Sequence, residues 1–236
     1  MRVGLFDSGI GGLTVLKTLK KKYPNNDYIY YGDTLNLPYG DKTKEELISL
    51  SRKNIEFLIN KKVDMIIIAC GTVSSNCLDI LKKEYHIPIF SIIEPTIEYL
   101  NNSRYNNIGI IATNATINSH IFKNNLNNNV YEISTPKLVP LIENNQEEYL
   151  DLVLHEYLDI YKSKIDSLVL GCTHYPIIID KIRKILPEVD ILDMSNQIIL
   201  ESNNGNATIN IYFSKLNDTI AVNTKRILGC YEYIIK

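Results

Sequence analysis

The chain has no tryptophan, only four cysteines, and a formal net charge of just −2 over 236 residues. Each shortage closes off a class of protein. A nearly balanced charge offers no broad positive face, so no nucleic-acid partner is expected. No stretch approaches the roughly 18 apolar residues that a membrane-spanning helix needs, so no membrane association is expected. The opening Met1-Arg2-Val3-Gly4-Leu5-Phe6 runs straight into a strand pattern and does not read as a leader. A cytoplasmic protein with reduced thiols is therefore expected. The cysteines form no Cys-x-x-Cys pair, which argues against a structural zinc site, and no metal is expected. No lysine motif for pyridoxal phosphate is evident, and the glycine-rich Asp7-Ser8-Gly9-Ile10-Gly11-Gly12 is neither G-x-G-x-x-G nor followed by a Walker lysine. That turn still offers free backbone N–H groups beside a carboxylate, which suits a ligand carrying both an anion and a cation.

What the chain does have is a repeated stretch. Val63-Asp64-Met65-Ile66-Ile67-Ile68-Ala69-Cys70-Gly71-Thr72 and Ile165-Asp166-Ser167-Leu168-Val169-Leu170-Gly171-Cys172-Thr173 share one grammar: apolar residue, Asp, buried strand, small residue, Cys, then Thr. A second pair keeps nearly the same offset, Val3-Gly4-Leu5-Phe6-Asp7-Ser8 with Ile108-Gly109-Ile110-Ile111-Ala112-Thr113. Two strands repeating at one spacing predict two similar α/β halves. The carboxyl ends of strands in such sheets are where ligands bind. Halves that face each other would bring Cys70 and Cys172 to one cleft from opposite sides. Cys77 and Cys230 have apolar helical company and read as core.

Along the rest of the chain, Leu13, Leu16 and Leu19 predict an amphipathic first helix, and Thr43-x-x-Glu46 a capping box opening the next. A helix is expected over Ser74–Tyr85, then a strand from Ile87 to Ile93 ending at Glu94-Pro95, where the chain crosses to the second half. Leu138-Val139-Pro140-Leu141-Ile142-Glu143 reads as an extended run ending in a carboxylate. The following long helix is expected to carry Tyr149, Leu152, Val153 and Tyr157 on one face. Pro176 sits where a helix could begin. Asp218 is expected to cap the last helix, after a link around Asn203-Asn204-Gly205-Asn206 returns the chain to the first half. The expected division is 1–94 with about 207–236, against 95–206.

Two cysteines across a cleft have a specific use. One thiolate removes a proton from a carbon while the other thiol delivers one to the opposite face, which inverts the carbon. A free thiol near pKa 8.5 is a poor base at neutral pH, so neighbours must tune it; Asp7 and His174 are the available candidates.

Asp7-Ser8-Gly9-Ile10-Gly11-Gly12-Leu13-Thr14-Val15, Pro38-Tyr39-Gly40, Cys70-x-Thr72 and Gly171-Cys172-Thr173-His174-Tyr175-Pro176 stand in the order of the glutamate racemase motifs. Over nearly its whole length the chain resembles that family, with Val139–Glu143 as weaker support. The resemblance implies two three-layer α/β/α domains with largely parallel sheets and an active-site cleft between them. It implies cofactor-independent interconversion of L- and D-glutamate, the D form feeding peptidoglycan synthesis, by an enzyme that is commonly a homodimer. It implies Cys70 and Cys172 as the two acid/bases. Substrate binding would fall on Asp7, Ser8, Tyr39, Gly40, Gly71, Thr72, Thr173 and His174, with Thr116 and Glu143 in supporting positions. The family usually reads Cys-Asn-Thr where this chain has Cys70-Gly71-Thr72, and Asp193-Met194-Ser195-Asn196 departs from its late Asp-Ser-Gly segment. Two alternatives stay open: a racemase of another amino acid such as aspartate, and a catalytically silent binding or regulatory protein.

Overall fold

The computed structural model describes residues 1–201, 206–229 and 231–236; Cys230 and the Asn203–Gly205 part of the returning link lie outside them. The chain builds β1 (Arg2–Asp7), α1 (Leu13–Lys22), β2 (Asp27–Gly32), α2 (Lys44–Asn60), β3 (Met65–Ile68), α3 (Gly71–Asn76), α4 (Leu78–Glu84), β4 (Ile89–Ser91) and α5 (Ile93–Asn101). It continues through β5 (Asn107–Ala112), α6 (Asn114–Asn118), α7 (Ile121–Asn125), β6 (Asn129–Ser134), α8 (Leu138–Glu143), α9 (Glu147–Leu158), β7 (Ser167–Leu170), α10 (Ile179–Ile185) and β8 (Asp190–Asp193). It ends with β9 (Ile209–Phe213), α11 (Asp218–Leu228) and β10 (Ile234–Ile235).

The strands form two sheets, β10-β9-β2-β1-β3-β4 and β6-β5-β7-β8, and every pairing is parallel. The order β2-β1-β3-β4 in one sheet is matched by β6-β5-β7-β8 in the other. Register matches too: Val3 stands opposite Met65, and its counterpart Ile108 opposite Ser167, the counterpart of Met65. The two-halves expectation is therefore met for four strands of each sheet, with β9 and β10 added beyond β2 in the first. The repeated aspartates have a structural task. Asp64 Oδ2 accepts the N–H of Arg2, and Asp166 Oδ2 accepts those of Asn106 and Asn107, so each ties down the start of its sheet's central strand.

Parallel strands are covered on both faces, and alternate residues feed different cores. Val3, Leu5, Met65 and Ile67 from one sheet, and Ile108, Ile110 and Val169 from the other, join a single cluster with α1, α5 and α11 between the sheets. Phe6, Ile66, Ile68 and Cys70 face an outer core under α2 and α4. Ile111, Leu168, Leu170 and Cys172 face the second outer core under α8, α9 and α10. The two thiols thus sit on equivalent faces of equivalent strands.

Several local expectations are corrected. Leu138–Glu143 is helix α8, not an extended run, and the stretch from Ile93 is helix α5, which leaves β4 only three residues. The cause is the same twice. Pro140 and Pro95 each occupy the third helical position, within the first turn, whose N–H groups have no intrahelical acceptor anyway. The Ser74–Tyr85 helix starts earlier, at Gly71, and breaks at Cys77 into α3 and α4. Helix α9 buries Leu150, Val153, Leu154 and Leu158, while Tyr149 and Leu152 are exposed, Leu152 to 72%. Asn217, not Asp218, caps α11, accepting the N–H of Ile220. Pro176 opens a 3₁₀ turn, Tyr175–Ile178, ahead of α10. The capping box at Thr43 and Glu46 is present with both reciprocal bonds.

Candidate active site

Cys70 lies two residues past the end of β3 and Cys172 two residues past the end of β7, and both thiols line one pocket of about 600 Å³ of empty space, mouth included. Its walls come from both sheets' carboxyl ends. Asp7 ends β1 and Ser8 follows it, Thr113 and Asn114 follow β5, and Pro38, Tyr39 and Gly40 close one side. The pocket is nearly shut: Cys70 is 4% and Cys172 7% exposed.

Around Cys70 the setting is carboxylate and hydroxyl. Its sulfur lies 3.9 Å from Ser8 Oγ. Burial first, and the Asp7 charge next, push the Cys70 thiol well above the usual thiol range. Asp7 is fully buried. Its Oδ2 accepts the Gly12 N–H at 2.7 Å and the Thr173 hydroxyl at 3.4 Å, while Oδ1 is buried with no hydrogen-bond partner among the described residues. A buried unpartnered carboxylate oxygen is costly, and a cationic ligand group would relieve it.

Around Cys172 the setting is cationic. His174 Nδ1 lies 3.6 Å from the sulfur, and its Nε2 lies 2.7 Å from Glu143 Oε1. Burial alone would lower the His174 pKa, but Cys172 and Glu143 together hold it well above the ordinary imidazole range.

The remaining wall mixes threonine hydroxyls with apolar Leu37, Pro136, Val139 and Pro140 and with Asp41. Thr72 Oγ1 and Thr113 Oγ1 are 2.9 Å apart, joining α3 to the β5 turn, and the Thr113 hydroxyl donates to Thr116 Oγ1 at 3.0 Å. Tyr39 is held from below: its hydroxyl donates to Asp33 Oδ2 at 2.7 Å and accepts from Asn54 Nδ2 at 3.2 Å. No lysine or arginine lines the pocket among the described residues. Such a site holds anions by hydroxyl and backbone donors around one histidine cation, and a cation by Asp7.

Asp7, Ser8, Tyr39, Gly40, Cys70, Gly71, Thr72, Cys172, Thr173 and His174, singled out from sequence, all line this pocket. Thr116 and Glu143 do not; they stand one layer out, behind Thr113 and His174. Thr113, Asn114 and Thr135 line it and were not singled out. For Thr113 a signal existed, since the repeat pairs it with Ser8.

Gly71 meets an obstacle invisible in one dimension. A Cβ built there would run into the carbonyl oxygen of Gly171, so the two cysteine turns meet backbone to backbone. Gly11 presses likewise on His174, where a Cβ would lie 2.5 Å from Nδ1.

Two parallel-sheet α/β units thus bring one thiol each into one nearly closed pocket. The family model described as Asp/Glu/Hydantoin racemase matches residues 33–198. A glutamate racemase of Aquifex pyrophilus is 39% identical, with 100% of this chain and 97% of that protein covered. One from Hydrogenobaculum sp. is 38% identical, with 97% and 93% covered. The crystal structure of glutamate racemase from Francisella tularensis in complex with D-glutamate superposes with a TM-score of 0.86 at 33% identity, covering 100% of this chain and 96% of that one. The chain belongs to the Asp/Glu/Hydantoin racemase family.

Proposed function

We propose that the protein interconverts L- and D-glutamate by a cofactor-independent two-base reaction in which Cys70 and Cys172 are the acid and base. The observation that carries this is the pair of thiols from equivalent strand ends in one closed pocket, beside a buried carboxylate oxygen without a partner. In this reading Asp7 Oδ1 takes the substrate ammonium. Ser8, Tyr39, Gly40, Gly71, Thr72, Thr113 and Thr173 supply hydroxyl and backbone groups around the two carboxylates. Cys172, in contact with His174, takes the Cα proton. Cys70, kept protonated by burial and Asp7, delivers its proton to the opposite face, and the roles swap for the other enantiomer. Glu143 and Thr116 act from behind, orienting His174 and Thr113.

The substrate's names come from relatives: the proteins that match over nearly full length are glutamate racemases. The D-glutamate product would supply peptidoglycan synthesis. The units are proposed as 1–94 with about 207–236, and 95–206, opening for entry and closing for chemistry, in a homodimer. Mixing the purified protein with single enantiomers of glutamate and of aspartate, and following circular dichroism, tests the reading. Glutamate should lose its signal from either side while aspartate keeps it. Racemisation of aspartate alone, or of neither, would overturn it.

A further inference from the structure

We propose that Asn114 binds the substrate: from the second unit its amide nitrogen donates to one carboxylate of glutamate, while the Ser8 hydroxyl of the first unit serves the other. This deepens the glutamate reading and rests on it for the ligand; the residue is singled out by where the pocket's donors already point.

A dicarboxylate in this pocket meets no lysine or arginine among the described residues, so neutral donors must do most of the holding. Most side-chain donors on the wall are already spent inside the protein. The Tyr39 hydroxyl donates to Asp33 and the Thr173 hydroxyl to Asp7. Thr113 donates to Thr116, which leaves the Thr72 proton for Thr113, and Thr135 donates to the Ala112 carbonyl at 3.2 Å. His174 has one ring nitrogen on Cys172 and the other on Glu143. Each of these can turn to a ligand only by giving up a bond. Two donors on the wall have no acceptor among the described residues: the Ser8 hydroxyl, whose oxygen faces Cys70, and Asn114 Nδ2.

The amide is also oriented. Ala112 stands opposite Ser134 in the β5–β6 register, so Asn114, two residues further on, lies beside the end of β6. There the Ser134 hydroxyl donates to Asn114 Oδ1. With its oxygen held on the β6 side, the amide keeps two N–H bonds for the pocket that it lines. In the repeat Asn114 is the counterpart of Gly9, so the second unit carries a donor where the first has no side chain. Ser8 follows β1 and Asn114 opens α6 after β5, so a ligand with two carboxylates can bridge both units.

The test is Asn114→Asp beside Asn114→Ala, each read by racemisation kinetics on glutamate and by calorimetric titration with D-glutamate. Asp keeps the shape and still accepts the Ser134 hydroxyl, but it loses the donor and repels a carboxylate. Both variants should raise KM and Kd by about tenfold to a hundredfold, the range of a hydrogen bond to a charged group, and Asp the more. The loss should fall on KM rather than on kcat. Parent-like KM and Kd in the Asp variant would overturn the assignment, because shape alone would then suffice. So would a fall in kcat with KM and Kd unchanged, or loss of fold in both variants. If the parent binds glutamate without racemising it and both variants bind it more weakly, the racemase reading fails and the assignment of Asn114 stands.

Discussion

At the scale of single residues, the two thiols carry the sharpest expectations. Each turnover needs a base on one face and an acid on the other, so Cys70→Ala and Cys172→Ala should each abolish racemisation to within the detection limit. Groups that act as a unit are non-additive, so the double variant should be scarcely worse than either single one. Thiols are monoprotic and here sit in separate surroundings, Cys70 by Ser8 and Cys172 by His174. In D₂O, solvent deuterium should therefore enter the inverted product early and the recovered substrate late; equal early labelling of both would point to one shared base. His174 adds a pH signature. Its folded-state pKa is raised by Cys172 and Glu143 against the lowering effect of burial. A raised pKa gives stability that is fully present below the unfolded value of about 6.5 and fades as pH rises through the folded value. The stability gap between parent and His174→Gln should thus be widest near pH 6 and shrink on the alkaline side, measured by urea unfolding across pH. A gap that grows with pH would show that the imidazole is neutral in the folded state. Most of these residues were legible in the chain, because chemistry-bearing side chains gather at strand ends. The Gly71–Gly171 contact was not, because it joins turns about a hundred positions apart and exists only once the units dock.

At the scale of elements, periodicity located helices better than it located their faces or starts. The α9 pattern supports two stripes, Tyr149-Leu152-Val153 and Leu150-Val153-Leu154, and only packing on α8 and α10 chooses the second. Pro95 and Pro140 read as breakers when they are first-turn residues. Side-chain caps read well, since the Thr43–Glu46 box is purely local: Thr43 Oγ1 accepts the Glu46 N–H at 3.2 Å, and Glu46 Oε2 accepts the Thr43 N–H at 2.8 Å. Thr43→Ala should lower stability by about 1 kcal/mol in denaturant unfolding and leave kcat untouched. A change in kcat would mean that the start of α2 reaches the neighbouring Tyr39–Asp41 wall after all.

At the scale of the whole molecule, the repeat made the architecture legible, because equal strand order and register follow from two copies of one folding pattern. Closure was legible only as an expectation. In the structure the thiols are almost sealed, at 4% and 7% exposure. That makes alkylation a gauge of opening. Cys77 supplies an internal standard: it is 1% exposed in the outer core of the first unit, away from the pocket, and burial pushes its thiol up to about 11. Cys77 should react only on unfolding, whereas Cys70 and Cys172 should react whenever the units part. With a bulky thiol reagent and peptide mapping by mass spectrometry, the two pocket cysteines should be modified well ahead of Cys77. Saturating glutamate should slow both by a similar factor, because one closing motion shields both. Protection of one thiol without the other would mean that the turns move independently and that the units do not close as bodies. Modification of Cys77 at the same rate would mean that access comes from loosening of the first unit itself.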